Sequence, residues 1–266
     1  MPQLIRVEVG ADSLLQDEAA LLESLCLSRG IEVQHAEENA PAGRGLPPIT
    51  IRFTQRCEVL FPPGSDLPPF SLDFTNHLLQ QRSHQAKTAS EAVARAVLGR
   101  GGTFPSRIYD ASAGLGRDAL IIQSCGVQVE MCERHPVMWL LLYDALRRAH
   151  LADARLFPCG LPELLPCAEL SDLGLNLEGS VIYFDPMFPV RRKHALVKKE
   201  LRSIRAIVQD DDDSQEVLAG LLTLRARRVV VKRPAQAPVL HGGRSGMVPG
   251  GQCRFDIYSG THSGAV

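Results

Sequence analysis

The chain has 266 residues, of which 45% are hydrophobic and 22% charged, and its formal net charge is −1 at pH 7. This composition is typical of globular proteins, and the length allows one large α/β domain with a small subdomain but not two full enzymes. No apolar run approaches the roughly 20 residues of a membrane span, and the first residues lack the order of a signal peptide, so we expect a cytoplasmic protein.

The first 80 residues are predicted to form a small N-terminal α+β subdomain, rich in β structure. Prolines and glycines interrupt it between residues 40 and 48 and again between 62 and 69. Alternating residues predict strands at 3–9, 49–53 and 57–61, and apolar residues at helical spacing predict a helix at 13–29.

Residues 81–266 are predicted to form a larger α/β domain, which starts with a short helix at 89–98. Repeated strand–helix units predict a mainly parallel sheet with helices on both faces. The last strand follows a glycine-rich loop at 242–251 without a helix, as expected of an antiparallel strand inserted in the sheet. Strands are predicted at 107–110, 127–132, 154–157, 180–185, 228–233 and 253–258, and helices at 117–125, 136–150, 162–170, 193–208 and 214–226.

A glycine turn joins the strand at 107–110 to the next helix. Gly114 and Gly116 let the backbone approach a ligand closely. Their spacing also fits the dinucleotide fingerprint, so a nicotinamide oxidoreductase is an alternative. Asp110 and Asp118 would repel a pyrophosphate, however, and would favour a cationic cofactor such as S-adenosylmethionine (SAM), whose ammonium Asp110 could bind.

Glu133 follows the second strand, 23 residues after Asp110. An acid at this position is placed to accept hydrogen bonds from both ribose hydroxyls of a nucleotide-like cofactor. The alternative is an acid at the start of a helix, stabilised by the helix dipole.

The segment Asp185-Pro-Met-Phe-Pro189 follows an apolar predicted strand. The Asp185 carboxylate and a carbonyl presented by the rigid Pro186 could accept both hydrogens of an exocyclic base amine, and Phe188 could stack on the base. The alternative is a strand that ends in a proline turn with a buried Phe. Together with the glycine turn, this segment predicts methyl transfer from SAM to a base nitrogen, with the rate supplied mainly by positioning.

Clustered basic residues on a nearly neutral protein are compatible with a phosphate-rich partner, although each run alone also fits a solvated surface. The cysteines are scattered and form no CxxC motif, so we expect no disulfide bonds. The histidines form no HExxH motif, so we expect no metal site. The residues predicted to bind RNA phosphates are Arg191, Arg192, Lys198, Lys199 and Lys232.

The chain resembles the RsmJ-type bacterial ribosomal RNA guanine-N2 methyltransferases from about Leu72 to Tyr258. The resemblance implies a class I SAM-dependent methyltransferase fold, Rossmann-like, whose mostly parallel seven-stranded sheet has an antiparallel last strand. It also implies methylation of one guanosine N2 in 16S ribosomal RNA during ribosome biogenesis. The matching motifs are the 110–118 turn, Glu133-Arg-His-Pro136, Asp185–Pro189, ALVKKE at 195–200, RVVVKRP at 228–234 and RFDIY at 254–258.

Carried over residue by residue, the resemblance adds cofactor contacts. The positions concerned are Arg117, Asp118, Glu133, Arg134 and Asp185. Cys159 and Gly160 stand where the family has two small hydroxyl residues, so only their backbone contacts to adenine are expected. The segment 85–90 departs from the glycine-rich, basic family pattern, of which only Arg82 and Lys87 remain.

The expected partner is small-subunit ribosomal RNA or its precursor particle, bound by a monomer. Two alternatives keep the fold. One is methyl transfer to another acceptor, adenine N6 or a glutamine amide, because DPMFP also resembles DPPY and NPPY motifs. The other is a non-catalytic RNA-binding assembly factor.

Overall fold

A computed structural model describes residues 4–10, 16–35, 49–99, 105–186, 199–208 and 213–260. The chain forms two compact units. The N-terminal unit comprises Met1–Asp73, His135–Arg148 and Val190–Asp210, and the main unit comprises Phe74–Arg134, Ala149–Pro189 and Asp211–Val266. The predicted domain boundary at residue 80 stays a prediction.

The described residues contain eleven strands and seven α-helices. The strands are β1 (Leu4–Val9), β2 (Glu32–His35), β3 (Ile49–Phe53), β4 (Cys57–Leu60), β5 (Ile108–Asp110), β6 (Val129–Met131), β7 (Glu163–Leu164), β8 (Val181–Phe184), β9 (Arg228–Pro234), β10 (Gly246–Gly250) and β11 (Cys253–Ser259). The helices are α1 (Gln16–Leu27), α2 (His77–Gln85), α3 (Ala92–Leu98), α4 (Arg117–Ser124), α5 (Pro136–Leu151), α6 (Lys199–Val208) and α7 (Ser214–Thr223). None of these helices is long and apolar enough to cross a membrane.

The N-terminal unit contains a four-stranded sheet in the order β2-β1-β3-β4. β1 is parallel to both β2 and β3, and β4 closes the sheet as the antiparallel partner of β3. Ile51 and Phe53 alternate with polar residues along β3 and are fully buried. β2 was missed because Glu32-Val-Gln-His35 has only one apolar residue and is mostly exposed.

A buried carboxylate joins this sheet to α5 within the N-terminal unit. Asp144 accepts a hydrogen bond from the backbone N–H of Cys57 at 3.1 Å and ion-pairs with Arg147 and Arg148 at 3.0 and 2.9 Å. Because both arginines lie on the same helix as Asp144, the charge is compensated locally while one oxygen fixes the start of β4.

The main unit contains a seven-stranded sheet in the order β10-β11-β9-β8-β5-β6-β7. The strands from β9 to β7 are parallel, and β11 is antiparallel to both of its neighbours. The predicted fold is therefore confirmed, including the inserted antiparallel strand. The prediction of a loop at 242–251 is partly wrong, since these residues include strand β10.

The central strands are buried along their whole length, as parallel strands covered on both faces are. One part of the core contains side chains of α7 and of a 3₁₀ turn at Leu170–Leu173 together with alternate residues of β8 and β9. α3 contacts β8, β10 and β11, and α4 contacts β6.

Two predicted elements of the main unit are wrong. The expected strand at 154–157 is a 3₁₀ turn at Ala154–Leu156, and the expected helix at 162–170 is replaced by β7 and the turn that follows. Pro166 explains the second difference, because it falls inside the predicted helix and lacks the N–H that a helix interior requires. Helix α2 was not predicted, and residues 193–198 of the predicted helix 193–208 lie outside the described residues.

Candidate active site

The glycine turn after β5 is closed by hydrogen bonds from the end of β6. The N–H of Ala113 donates to the carbonyl of Cys132, and the N–H of Gly114 donates to Oε2 of Glu133, both at 3.0 Å. Gly114 and Gly116 have φ values of +53° and +66°, which L side chains rarely adopt. The two predicted cofactor segments therefore lie side by side at the carboxyl ends of neighbouring parallel strands.

Asp110 ends β5 and is only 2% exposed. Its Oδ1 accepts the N–H of Ser112 at 3.1 Å. Burial holds the pKa of the Asp110 carboxyl well above its ordinary value; the Ser112 bond opposes this shift, whereas the charges of Asp118 and Asp185 add to it. This acid lies beneath the turn, where a cation would stabilise its charged form.

Asp185 follows β8, the strand next to β5. Its N–H donates to Oγ of Ser112 at 2.7 Å, which fixes the strand end against the glycine turn. The Asp185 side chain is 35% exposed, so a substrate can reach it, and the following Pro186 is buried.

An ammonium group joins Asp185 to the first turn of α4. Lys232 lies on β9 and donates to Oδ2 of Asp118 and to Oδ2 of Asp185, each at 2.8 Å. The hydroxyl of the buried Tyr183 donates to the same Asp118 oxygen at 2.6 Å. The resulting cluster connects α4, β8 and β9.

The cluster shifts the pKa values of its members. Burial raises the pKa of Asp185 to about 6, against the opposing effect of Lys232. Burial acts in the same direction on Asp118, but Lys232 and Tyr183 outweigh it, so the pKa of Asp118 is lowered. Burial would lower the pKa of Lys232, but the two carboxylates raise it above its ordinary value. Near neutral pH the ammonium therefore stays charged, and Asp185 is mostly ionised.

These residues fit SAM better than a dinucleotide. Four carboxyl groups surround the turn, and Lys232 is already bound to two of them, so the local charge disfavours a pyrophosphate and favours a cation. A Cβ built on Gly114 would meet only the Ser112 carbonyl oxygen, at 3.8 Å, which leaves open space beside the turn. The four carboxyl groups belong to Asp110, Asp118, Glu133 and Asp185.

The position of Lys232 differs from the predicted one. It was expected on the RNA-binding surface, but the structure binds its ammonium to two site carboxylates. A charge compensated in this way is a poor phosphate ligand, because a phosphate would have to displace both carboxylates.

Arg134 also differs from its expected role as a cofactor contact. Its guanidinium ion-pairs with Glu169 at 2.7 Å and with Asp213 at 2.6 Å. It therefore fastens the loop after β7 to the start of α7, and its contact with the cofactor stays a prediction.

The expected contacts of Cys159 and Gly160 with adenine are contradicted by their position. The carbonyl of Cys159 accepts from Nε2 of Gln123 at 3.2 Å, and Oε1 of the same amide accepts from the N–H of Val129, the first residue of β6. The pair precedes β7 and lies at the amino ends of the parallel strands, whereas the glycine turn lies at their carboxyl ends.

The structure describes only some of the remaining predicted site residues. Arg117 begins α4 and is exposed. Lys199 begins α6, but its side chain lies outside the described part of the chain. Phe188, Arg191, Arg192 and Lys198 lie wholly outside the described residues.

Sequence reasoning missed two site residues, Ser112 and Tyr183. Ser112 lies inside the recognised turn motif, and Tyr183 lies in β8, two residues before Asp185. Their proximity to the motifs was a signal, but their partners depend on tertiary structure. Among the residues that the structure describes, no cluster of histidine, cysteine or acidic side chains could hold a metal ion.

Comparisons with known proteins identify the family of this chain. A family model described as "Putative SAM-dependent methyltransferase" matches residues 61–260. The protein named ribosomal RNA small subunit methyltransferase J from Ectopseudomonas mendocina is 44% identical over 174 residues, which is 64% of this chain and 66% of that protein. The protein of the same name from Thioalkalivibrio sulfidiphilus is 43% identical over 185 residues, or 68% of this chain and 72% of that protein.

These alignments span about two thirds of the relatives' own length. A crystal structure of a SAM-dependent methyltransferase from Neisseria gonorrhoeae superposes with a TM-score of 0.63, at 22% identity, over 97% of both chains, which supports the fold. The chain therefore belongs to the RsmJ family of SAM-dependent methyltransferases.

Proposed function

We propose that this chain transfers a methyl group from SAM to the exocyclic N2 of a guanosine in 16S ribosomal RNA. The observation that carries the proposal is the Asp185 carboxylate, which Ser112 and Lys232 fix beside the glycine turn. The relatives' name, ribosomal RNA small subunit methyltransferase, supports the substrate class.

The site suits an amine of low nucleophilicity. The lone pair of guanine N2 is delocalised into the ring, so a catalyst gains by orienting it. Asp185 accepts one N–H, and a carbonyl at Pro186 accepts the other, which turns the lone pair toward the cofactor. When bound, SAM supplies a methyl group on a positively charged sulfur. Asp185 and the carbonyl at Pro186 would hold the amine while the methyl group is transferred, S-adenosylhomocysteine would leave, and the extra proton of the amine would pass to water.

We propose the cofactor contacts on the basis of the same geometry. Glu133 binds the ribose hydroxyls while its Oε2 holds the Gly114 N–H, and Asp110 stabilises the amino group of the cofactor. Asp118 and Arg117 flank the cofactor at the start of α4. Phe188 stacks on the target base.

RNA binding is assigned to the basic segment, without Lys232. Contacts with RNA phosphates release counterions, so the affinity for RNA falls as the salt concentration rises. In a plot of the logarithm of the binding constant against the logarithm of the salt concentration, each phosphate contact adds about one unit of slope. The contacts are assigned to Arg191, Arg192, Lys198 and Lys199. Filter binding with 16S RNA at several salt concentrations measures this slope, and Arg191→Ala with Arg192→Ala should lower it by about two. An unchanged slope would remove both residues from the interface.

The function is tested with small subunits and with naked 16S RNA, both from a bacterial strain that lacks its own methyltransferase of this family. Incubation with methyl-labelled SAM should produce N2-methylguanosine, identified by nucleoside mass spectrometry. Asp185→Ala should abolish the product, whereas Glu178→Ala, at an exposed acid outside the site, should not.

Each alternative predicts a different product. N6-methyladenosine or a labelled protein would replace the guanine assignment, and RNA binding without incorporation on either substrate would favour the assembly factor. The two substrates also distinguish recognition of bare RNA from recognition of the particle. We further propose a monomer that acts in the cytoplasm, where such RNA is found, and light scattering tests the oligomeric state.

A further inference from the structure

Lys232 connects two parts of the site that perform different tasks. Its ammonium lies 2.8 Å from Oδ2 of Asp118 and 2.8 Å from Oδ2 of Asp185. Asp118 belongs to the proposed cofactor side, and Asp185 belongs to the proposed substrate side. A single cation therefore fixes the orientation of both carboxylates.

We propose that Lys232 is a positioning residue for methyl transfer, which keeps the Asp185 carboxylate ionised and holds its Oδ2 so that Oδ1 is presented to the target amine. This inference rests on the proposed function, because the amine is the substrate assigned there. Lys232 acts through Asp185 and need not touch the base.

The hydrogen bonds of Asp185 support this arrangement. Its N–H is bound by Ser112 and its Oδ2 by Lys232, while no donor within the described segments reaches Oδ1. A carboxylate held at one oxygen and at its own backbone has little freedom to turn. The remaining oxygen is thus pre-oriented to accept a hydrogen from an amine.

The charges around Asp185 explain why a cation is needed there. Burial and Asp118 both raise the pKa of Asp185, and Lys232 opposes them. Without the ammonium, the carboxyl would be protonated over more of the physiological pH range and would become a donor where an acceptor is required. The other titratable or charged groups of the cluster and its surroundings are Asp110, Tyr183, Cys253 and Arg82.

The first test measures the ionisation of Asp185 directly, without methyl transfer. Carboxyl carbons of the ¹³C-labelled protein are titrated by NMR, and the Asp185 signal is assigned by its loss in Asp185→Asn. The wild-type midpoint should lie near pH 6. Lys232→Met should raise the midpoint by about one pH unit or more. Lys232→Arg keeps the positive charge and should have a midpoint close to that of the wild type.

Two further variants make the result specific. Asp118→Asn removes a neighbouring negative charge and should lower the midpoint. Arg155→Met removes an exposed cation paired with Asp153, outside the site, and should leave the midpoint unchanged. If Lys232→Met does not fold, Lys232→Gln, which also lacks the ammonium, takes its place and should raise the midpoint in the same way. An unchanged midpoint in the variant that lacks the Lys232 ammonium would overturn the proposal.

The second test follows catalysis. The acidic limb of kcat/KM on 16S RNA should move to higher pH in Lys232→Met, in parallel with the NMR midpoint, whereas a merely structural role would lower activity equally at every pH. Lys232→Arg should return the limb toward that of the wild type. If the wild-type protein methylates no RNA, the proposed function fails, and the NMR result still determines whether Lys232 controls Asp185.

Discussion

The backbone N–H of Asp185 donates to the side-chain oxygen of Ser112 at 2.7 Å, although the two residues are 73 positions apart in the chain. This bond joins the segment proposed to bind the substrate to the turn proposed to bind the cofactor. Both lie at the carboxyl ends of adjacent parallel strands, β8 and β5, where open α/β sheets bind ligands. The bond sets the position of Asp185 relative to the cofactor.

Removing the Ser112 hydroxyl should loosen that link. In Ser112→Ala the half-buried N–H of Asp185 loses its acceptor, at a cost of about 1–3 kcal/mol in the free energy of unfolding. We expect kcat to fall more than the affinity for S-adenosylhomocysteine. Urea unfolding, calorimetry and methyl transfer measure these effects. Ser171→Ala, at an exposed hydroxyl, is the control, and equal losses in both variants would contradict the role of Ser112.

Glu133→Ala should weaken cofactor binding strongly. It removes the acceptor of the Gly114 N–H and the proposed acceptor of the ribose hydroxyls, which corresponds to roughly a 10- to 150-fold loss in affinity for S-adenosylhomocysteine. Glu133→Gln keeps one acceptor oxygen and should lose less. Titration calorimetry measures both variants against Glu163→Gln, an exposed acid on β7. Unchanged binding in Glu133→Ala would exclude the ribose contact.

Asp110→Asn should stabilise the protein increasingly as the pH rises. Because burial raises the pKa of Asp110, the folded state binds its proton more tightly than the unfolded state, and this contribution to stability is lost as the pH rises toward the folded pKa. Asparagine avoids the loss and retains an oxygen for the Ser112 N–H. Urea unfolding between pH 4 and pH 8 should show a growing difference from wild type. A difference independent of pH would contradict this explanation.

The same variant tests the proposed contact with the cofactor amino group. Asp110→Asn should weaken binding of S-adenosylhomocysteine despite its greater stability, because it removes the negative charge that the cofactor ammonium favours. Calorimetry at pH 8 separates the two effects. Stabilisation with unchanged affinity would leave Asp110 a purely structural residue.

Arg134→Met should affect stability rather than the cofactor. Loss of the ion pairs with Glu169 and Asp213, which are partly exposed, should cost about 1 kcal/mol and lower the Tm by about 2–4 °C. Since Arg134 lowers the pKa of Asp213, the stabilisation is present near neutral pH and is lost as the pH falls through that lowered pKa. Affinity for S-adenosylhomocysteine should change less than about twofold, and a larger loss would restore Arg134 as a cofactor contact.

Cys159→Ser should leave cofactor affinity unchanged. The substitution introduces a hydroxyl of the kind that the resemblance implies at this position, but Cys159 lies beside Gln123 at the amino ends of the strands. Calorimetry with S-adenosylhomocysteine should give the wild-type value. An increase in affinity would mean that this loop reaches the adenine.

Much of the fold was predictable because its strands are apolar and its turns contain glycine. β5, β8 and β9 were recognised within two residues, as was the antiparallel β11. The region between α5 and β8 was not, since leucines suggested a helix where the interior Pro166 excludes one. β7 has two residues and β10 is rich in glycine, so neither has a periodic pattern long enough to detect.

The sequence by itself determined the fold class, the glycine turn, and the acids Asp110, Glu133 and Asp185, because each follows a strand within a local pattern. Only the tertiary structure decided which charges meet. Lys232 belongs to a basic motif and was expected to face RNA, yet the order β9-β8-β5 brings its ammonium between Asp118 and Asp185. Ion pairs form across strands that are distant in sequence, and a local pattern holds no information about them.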